Sequence, residues 1–251
     1  IRQFLILVLV FAFTGCSTMS FNPATGRQEL ILIPTAQEVA MGQGIQASLK
    51  KTSKFSSDPE KIQRLQTIGN RIATVSDRKD LRYNFYLIEA EDLNAFTVPG
   101  GGVYFHTALF DQLTEDQIAA VLAHEVGHVA AKHTIKKFQA GIGLELLGTI
   151  LVEAINMKEQ TRQMWRVGLG VSTGLILAAY SRREELEADR LSLKYLRLSG
   201  YDPHAMVEAL QVLQQEEKKE GAVRVPTVMR THPYISERIK QLEAQGAKAQ
   251  R

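Results

Sequence analysis

Three of the chain's six histidines fall within ten residues, in the stretch VLAHEVGHVAAKH from Val121 to His133. His124 and His128 are four apart. On an α-helix, residues at that spacing stack on one face with β-carbons about 6 Å apart. Two imidazole nitrogens so placed can meet one Zn²⁺ over bonds of about 2.1 Å. Glu125 is turned about 100° around the helix from His124, so it reaches a water held by the metal rather than the metal itself. That is the HExxH spacing of metal-assisted hydrolysis. Such a site needs a third protein ligand and an open fourth position. A third histidine six residues after the second would serve, but that position is Thr134. His133 falls one residue short, on a different helical face from His124, and is expected to cap or pack. The third ligand must come from elsewhere.

The segment SRREELEADRLSLKYL, residues 181–196, can supply it. Glu185 and Asp189 are one helical turn apart, so one carboxylate can ligate the metal while the other accepts the second N–H of a ligating histidine and fixes its ring. Spacing alone leaves Glu184, Glu185 and Glu187 open as the ligand. The competing reading is a solvated acidic face flanked by arginines.

These residues need elements to carry them. Thr114 and Gln117 form a capping-box signature, and Ile118, Val121, Leu122 and Val129 supply an apolar face, which predicts a helix from about Glu115 to Lys132. Thr35 after Pro34 predicts a cap for a helix to about Lys51. Asp58-Pro59 predicts the start of another, with Ile62, Leu65, Ile68, Ile72 and Val75 as its stripe. SDRKD at 76–80 is a turn. RYNFYLIEA and NAFTV are rich in aromatic and β-branched residues and predict strands. PGGG then makes a tight turn and VYFH returns. An edge strand there, at Gly101, Gly102 and Val103, could pair with an extended substrate backbone, and the glycines would keep its approach clear. Everything after Thr107 is helix and loop, with Gly200 ending the helix of Glu185 and Tyr201-Asp202-Pro203 opening the next. The fold class is therefore α+β, mostly helical. Two apolar stretches, 141–155 and 167–180, are too charged or too short for membrane spans, the first holding Glu145 and Glu153 and the second having fourteen residues. They are expected as buried helices around the site.

With 251 residues and 45% hydrophobic content the chain can fill a core, and its 30 basic and 27 acidic residues, a net charge of +3, give no footprint for nucleic acid. At the start, Arg2 is followed by FLILVLVFAF and then TGCS, the order of a secretory signal. Cys16 is the sole cysteine, so no internal disulfide can form. Phe13-Thr14-Gly15-Cys16 resembles a bacterial lipobox, although Phe13 stands where leucine is usual. The expected organisation is a signal peptide at 1–15, a lipidated tether at 16–34 that includes the polar NPATGR, and a single domain at 35–251. Ser17 after the cysteine, rather than aspartate, resembles an outer-membrane sorting signal.

HEVGH, the downstream Glu185-Leu186-Glu187-Ala188-Asp189 and NAFTVPGGGVYF together resemble peptidase family M48, the HtpX and CAAX-prenyl-protease family of zinc metallopeptidases, in its soluble envelope lipoprotein form. The resemblance runs from about Asn22 onward. It implies a zincin-like (gluzincin) fold and one Zn²⁺ held by His124, His128 and Glu185. It also implies Glu125 as catalytic base and Asp189 behind a ligand. A late histidine followed six residues on by an arginine also lines the site in that family, and His232 and Arg238 in THPYISERI match. Their chemistry is independently sensible. A donor at the oxyanion formed from a peptide carbonyl contributes several kcal/mol. A histidine on a loop before Pro233 could instead occupy the open zinc position at rest, while Ser236 can cap the helix that carries Arg238. The resemblance further implies periplasmic residence through the lipid anchor, and unfolded or misassembled envelope proteins as substrates. A noncatalytic zinc scaffold or chaperone in outer-membrane assembly is the alternative, as is an exported hydrolase of a non-peptide ester or amide.

Overall fold

The computed structural model describes residues 19–141, 178–220 and 226–249. Cys16 and most of both apolar stretches lie outside these residues, as do the expectations placed on them. The described chain runs β1 (Met19–Asn22), β2 (Arg27–Leu30), α1 (Thr35–Thr52), α2 (Pro59–Val75), β3 (Asn84–Ile88), β4 (Ala95–Val98), β5 (Gly102–His106), α3 (Thr107–Gln112), α4 (Glu115–Ala130), α5 (Arg182–Ser199), α6 (Ala205–Glu220), α7 (Thr227–Thr231) and α8 (Ile235–Ala249). Residues 133–141 are also helical. The mostly helical α+β class is as expected.

Local chemistry sets most boundaries. Asp58 accepts from the backbone N–H of Glu60 and Lys61, with Pro59 in the first turn of α2. Thr114 and Gln117 make the full capping box of α4, and Ser181 with Glu184 makes the same box on α5. Gly200 closes α5 with φ of 74°, a left-handed cap that glycine adopts without a Cβ penalty. Thr35 departs from expectation. Pro34 stands at the N-cap of α1, and the Thr35 hydroxyl donates to Asp80 instead.

Helix α4 is the centre of the molecule. Every residue from Ile118 to Ala130 is buried, because α5, α2, α6 and β4 cover it on all sides. Small side chains let the neighbours close in. Gly127 faces the backbone of α5, where an added Cβ would stand 3.0 Å from the Ala188 carbonyl oxygen and 3.3 Å from its Cα.

The three-stranded sheet has the order β3-β5-β4, with β3 parallel and β4 antiparallel to β5. Here one sequence expectation fails. Gly102 and Val103 belong to the central strand, paired with Asn84 and Phe85 on one side and with Val98 and Thr97 on the other. Gly101 sits in the turn at φ of 85°. None of the three has a free ladder edge to offer a substrate. The reason is the path of the chain: β5 returns between β4 and the earlier β3 and pairs with both, which spacing along the sequence does not reveal. Among the described residues the outer strand next to α4 is β4. His106 N–H donates to the Asn94 carbonyl at 2.9 Å, so by antiparallel alternation Ala95 and Thr97 turn their own N–H and C=O groups away from β5.

The glycine turn before β5 is held from behind by α1. Gly42 lies against it so closely that a Cβ would stand 2.1 Å from the Pro99 carbonyl oxygen. Buried Glu38, one turn earlier, accepts from Gly100 N–H at 3.3 Å and from Arg78 at 3.0 and 2.9 Å. Gly42→Ala is therefore expected to cost about 1–3 kcal/mol by overpacking. At roughly 2–4 °C per kcal/mol for a chain of this size, thermal denaturation would show the loss. An unchanged Tm would mean that α1 does not bear on the turn.

The expected tether is a second correction. Residues 19–30 fold as an antiparallel hairpin, with Met19 opposite Leu30 and Asn22 opposite Arg27. Polar NPATGR is its turn: Ala24 N–H donates to Asn22 Oδ1 and Gly26, at φ of 68°, donates to the Asn22 carbonyl. Turn residues and linker residues share a composition, since both must satisfy exposed backbone. The hairpin is pinned to the body by Arg27 to Glu187 at 2.7 Å, Lys136 to Glu29 at 2.9 Å, and Arg190 to the Ala24 carbonyl at 3.2 Å.

Candidate metal centre

The close approach at Gly127 lets α4 and α5 bring their polar side chains into one buried cluster. His124 Nε2 and His128 Nε2 are 3.0 Å apart. Glu185 Oε1 lies 3.4 Å from His128 Nε2, and Glu185 Oε2 lies 3.5 Å from His124 Nε2. His232, just past α7, points Nδ1 to within 3.1 Å of Glu185 Oε1 and 3.3 Å of His124 Nε2. One donor atom from each of His124, His128, Glu185 and His232 lies within 4.8 Å of all the others.

These separations fit a cation. A tetrahedral zinc with N and O ligands at 2.0–2.1 Å has ligand-to-ligand edges of about 3.3–3.4 Å, and the donor separations here, 3.0 to 3.5 Å, bracket that value. Proton placement fits too. His124 Nδ1 lies 2.9 Å from Asp189 Oδ1, so a proton belongs on that nitrogen and Nε2 carries a lone pair toward the cluster. Two ring nitrogens facing each other at 3.0 Å need a positive charge between them, a proton or a metal ion, and the surrounding donor set suits the metal. Glu125 Oε2 adds a buried oxygen with no hydrogen-bond partner among the described residues.

Electrostatics point the same way. Burial pushes His128 well below its ordinary value, so it stays neutral and able to ligate. Burial would raise Glu185, but the Arg238 charge and His232, with the imidazoles of His124 and His128 beside it, hold its carboxyl well below the usual range. Asp189 is likewise lowered, burial being outweighed chiefly by Arg238 and by the His124 hydrogen bond. Burial and Arg238 depress His124, yet Asp189 and Glu185 carry it up to about 9. The carboxylates thus draw positive charge onto the imidazole cluster.

Arg238 reaches the centre from α8, but all three of its nitrogen groups are engaged. Nε donates to Asp189 Oδ2 at 2.8 Å, Nη2 to Asp189 Oδ1 at 2.7 Å, and Nη1 forms an ion pair with Glu185 Oε2 at 2.7 Å whose angles fall short of a hydrogen bond. It holds the two carboxylates in place from behind the cluster. Ser236 does not reach the cap expected of it. Its hydroxyl accepts from Gln214 Nε2 within α8.

Two neighbours were not legible as parts of the site. Tyr180 stacks on the His128 ring with centroids 3.8 Å apart, its hydroxyl 3.3 Å from the Thr134 hydroxyl and Lys137 Nζ 3.9 Å from its ring. Burial pushes Tyr180 up and pulls Lys137 down to about 8. His133, expected to cap or pack, instead has Nδ1 3.0 Å from His128 Nδ1.

The family model for peptidase family M48 matches residues 59–245, which takes in both helices of the cluster and the arginine behind it. The chain belongs to peptidase family M48. Among M48 relatives, it is 30% identical to the beta-barrel assembly-enhancing protease of Yersinia pestis over 81% of this chain and 42% of that protein. It is 28% identical to metalloprotease LoiP of Escherichia coli (strain K12), over 96% of this chain and 95% of the relative. The mitochondrial metalloendopeptidase OMA1 of Schizosaccharomyces pombe is 28% identical over 69% of this chain and 49% of its own length. The chain thus spans under half the length of the assembly-enhancing proteases it matches. Membership in M48 makes this a divalent-metal site of a metallopeptidase family. Among the described residues, no helix is long and apolar enough to cross a membrane.

Proposed function

We propose that this protein is a zinc-dependent endopeptidase of the bacterial envelope, tethered as a lipoprotein through Cys16 and acting on unfolded or misassembled envelope proteins. The observation that carries the reading is the convergence of His124, His128 and Glu185 at the edge lengths of a zinc tetrahedron, with the unpartnered Glu125 oxygen beside them. Zinc held there would supply Lewis-acid polarisation of a peptide carbonyl and activation of water. Glu125 takes the proton of the attacking water and delivers it to the leaving amine. Asp189 fixes the ring of His124, and Arg238 steadies the carboxylates of Asp189 and Glu185. Ala95 and Thr97 on β4 turn their N–H and C=O groups away from β5 but are buried at rest, so an extended peptide would add there as a further strand only once their cover is withdrawn. Envelope quality control rests on the likeness to the beta-barrel assembly-enhancing proteases and on the lipobox-like start of the chain. A noncatalytic scaffold would have no use for an unpaired carboxylate oxygen buried beside its metal.

The position of His232 favours a resting latch over an oxyanion donor. Its Nδ1 takes the fourth corner of the donor set, its Nε2 lies 3.4 Å from Glu125 Oε1, and all the donor residues are buried. Substrate gains access only when the segment after α7 withdraws. The test is zinc content by elemental analysis together with casein cleavage before and after chelation and zinc return. Cleavage should vanish with the metal and come back with it; absence of bound zinc would sink the reading. His232→Ala is expected to raise casein cleavage several-fold with zinc retained, whereas a loss would return His232 to the oxyanion role.

A further inference from the structure

His124 has Asp189 behind its ring, but among the described residues no carboxylate stands directly behind His128. What stands there is His133. His128 Nδ1 and His133 Nδ1 are 3.0 Å apart, His133 Nε2 is 3.2 Å from Glu187 Oε2, and that same oxygen receives Arg27 Nη2 at 2.7 Å. His133 is buried, and Glu187 nearly so.

On a continuous helix, residues five apart lie about 140° from each other around the axis, which would aim His133 away from His128. The chain avoids this by ending α4 at Ala130 and placing Lys132 at φ of 58°. That left-handed residue, strained for any side chain but glycine, turns His133 back beneath His128 before residues 133–141 resume a helix.

The protons in this array have one consistent placement. His128 faces the cluster with Nε2, and a ligating nitrogen must carry its lone pair, so the His128 proton is on Nδ1. It is donated to His133 Nδ1. The His133 proton is then on Nε2 and is donated to Glu187, whose carboxylate also accepts from Arg27. Each group in the series has its hydrogen-bond direction set by the next, and the last is anchored on strand β2 of the hairpin.

We propose that His133 is a positioning residue for the metal ligand His128, backed by Glu187 and, through Arg27, by the amino-terminal hairpin. The proposal rests on the zinc reading above. Held this way, His128 keeps one tautomer and one ring orientation without having to be ordered by the metal. Loss of an outer partner of this kind typically lowers metal affinity about 10–100-fold.

The test compares His133→Phe, which keeps the ring's bulk but accepts no proton, with His133→Asn, whose Oδ1 can replace Nδ1 as acceptor. Zinc affinity is measured on metal-free protein by chelator competition, alongside thermal denaturation of the same metal-free protein and the visible absorption of the cobalt-loaded form. The expected result for His133→Phe is a zinc affinity lowered about 10–100-fold with an altered cobalt spectrum, and for His133→Asn a return toward the parent in both. Parent affinity and spectrum in His133→Phe would overturn the proposal. So would equal losses in the two variants that track a fall in metal-free Tm, since that is what a packing role predicts. If His133→Phe fails to fold, Glu187→Gln, which keeps an acceptor but loses the charge, is read the same way: a several-fold weaker zinc affinity at unchanged metal-free Tm supports the proposal, and unchanged affinity overturns it. An unsubstituted protein that binds no zinc would overturn the proposed function as well, so the two failures are distinguishable.

Discussion

Glu125→Gln is expected to reduce peptide cleavage by about 10²–10⁴-fold, the contribution of a positioned general base, while bound zinc and thermal stability stay as they were. The substitution is close to isosteric, and Glu125 ligates nothing in the cluster. Its Oε1 lies 3.4 Å from His232 Nε2 and its Oε2 has no hydrogen-bond partner among the described residues. A glutamine amide there can still occupy the space and still accept one hydrogen bond. What it cannot do is take a proton from water at neutral pH. Casein cleavage by the two forms, with metal content measured on the same samples, separates the roles. Equal cleavage at full zinc occupancy would refute Glu125 as the base.

Arg238→Ala is expected to be the most destabilising single change at the centre. Arg238 heads the fully buried side chains by size, and it sits between the carboxylates of Asp189 and Glu185. Deleting it leaves two buried negative charges without their cation, a situation that costs about 3–5 kcal/mol. Burial drives both carboxyls upward in pKa, and Arg238 is the foremost influence holding them down. Zinc should recover part of the loss, because a cation bound to the native state compensates Glu185 and stabilises by mass action. The measurement is the Tm of metal-free and zinc-loaded protein, and the drop should be larger in the metal-free form. Arg238→Lys should rescue little, since an ammonium cannot bridge two carboxylates in the plane that a guanidinium does. An unchanged metal-free Tm with kcat lowered about 10²–10³-fold would be the signature of an oxyanion donor, and would restore the role that its spacing from His232 implies in the family.

Much of this centre is legible in the sequence. The helix bearing His124, Glu125 and His128 was marked by its capping box and apolar face, both local in sequence. The Glu185 helix was marked at its end by Gly200, while the capping box of Ser181 and Glu184 at its start is a finding of the structure. Helical periodicity also put Glu185 and Asp189 on one side. What periodicity could not say was which carboxylate meets the metal, because Glu184, Glu185 and Glu187 differ only in their direction around an axis whose neighbour is unknown. The structure divides them: Glu184 caps the helix, Glu185 enters the cluster, and Glu187 stands behind His133.

The failures have a common cause. The hairpin at 19–30 looked like a tether because turn residues and linker residues are the same residues. Gly101, Gly102 and Val103 looked like an edge because a β-hairpin read alone has two edges, and only β3 on the far side of β5 makes them central. His133 looked misplaced because helical phase was extended through Lys132, where the backbone changes hand.

By itself, then, the sequence determined the local elements and the donor chemistry: a capped helix with two imidazoles and a carboxylate at fixed phase, and a second helix with spare carboxylates. Hydrogen bonding and side-chain phase within a helix depend on residues a few positions apart. The tertiary structure alone decided which carboxylate completes the set, that Arg238 holds Asp189 and Glu185, that His232 closes the fourth corner, and that β4 rather than β5 is the outer strand. Those outcomes depend on how closely α4 and α5 cross at Gly127 and on which strand returns beside which, and such long-range packing leaves no periodic mark in the chain.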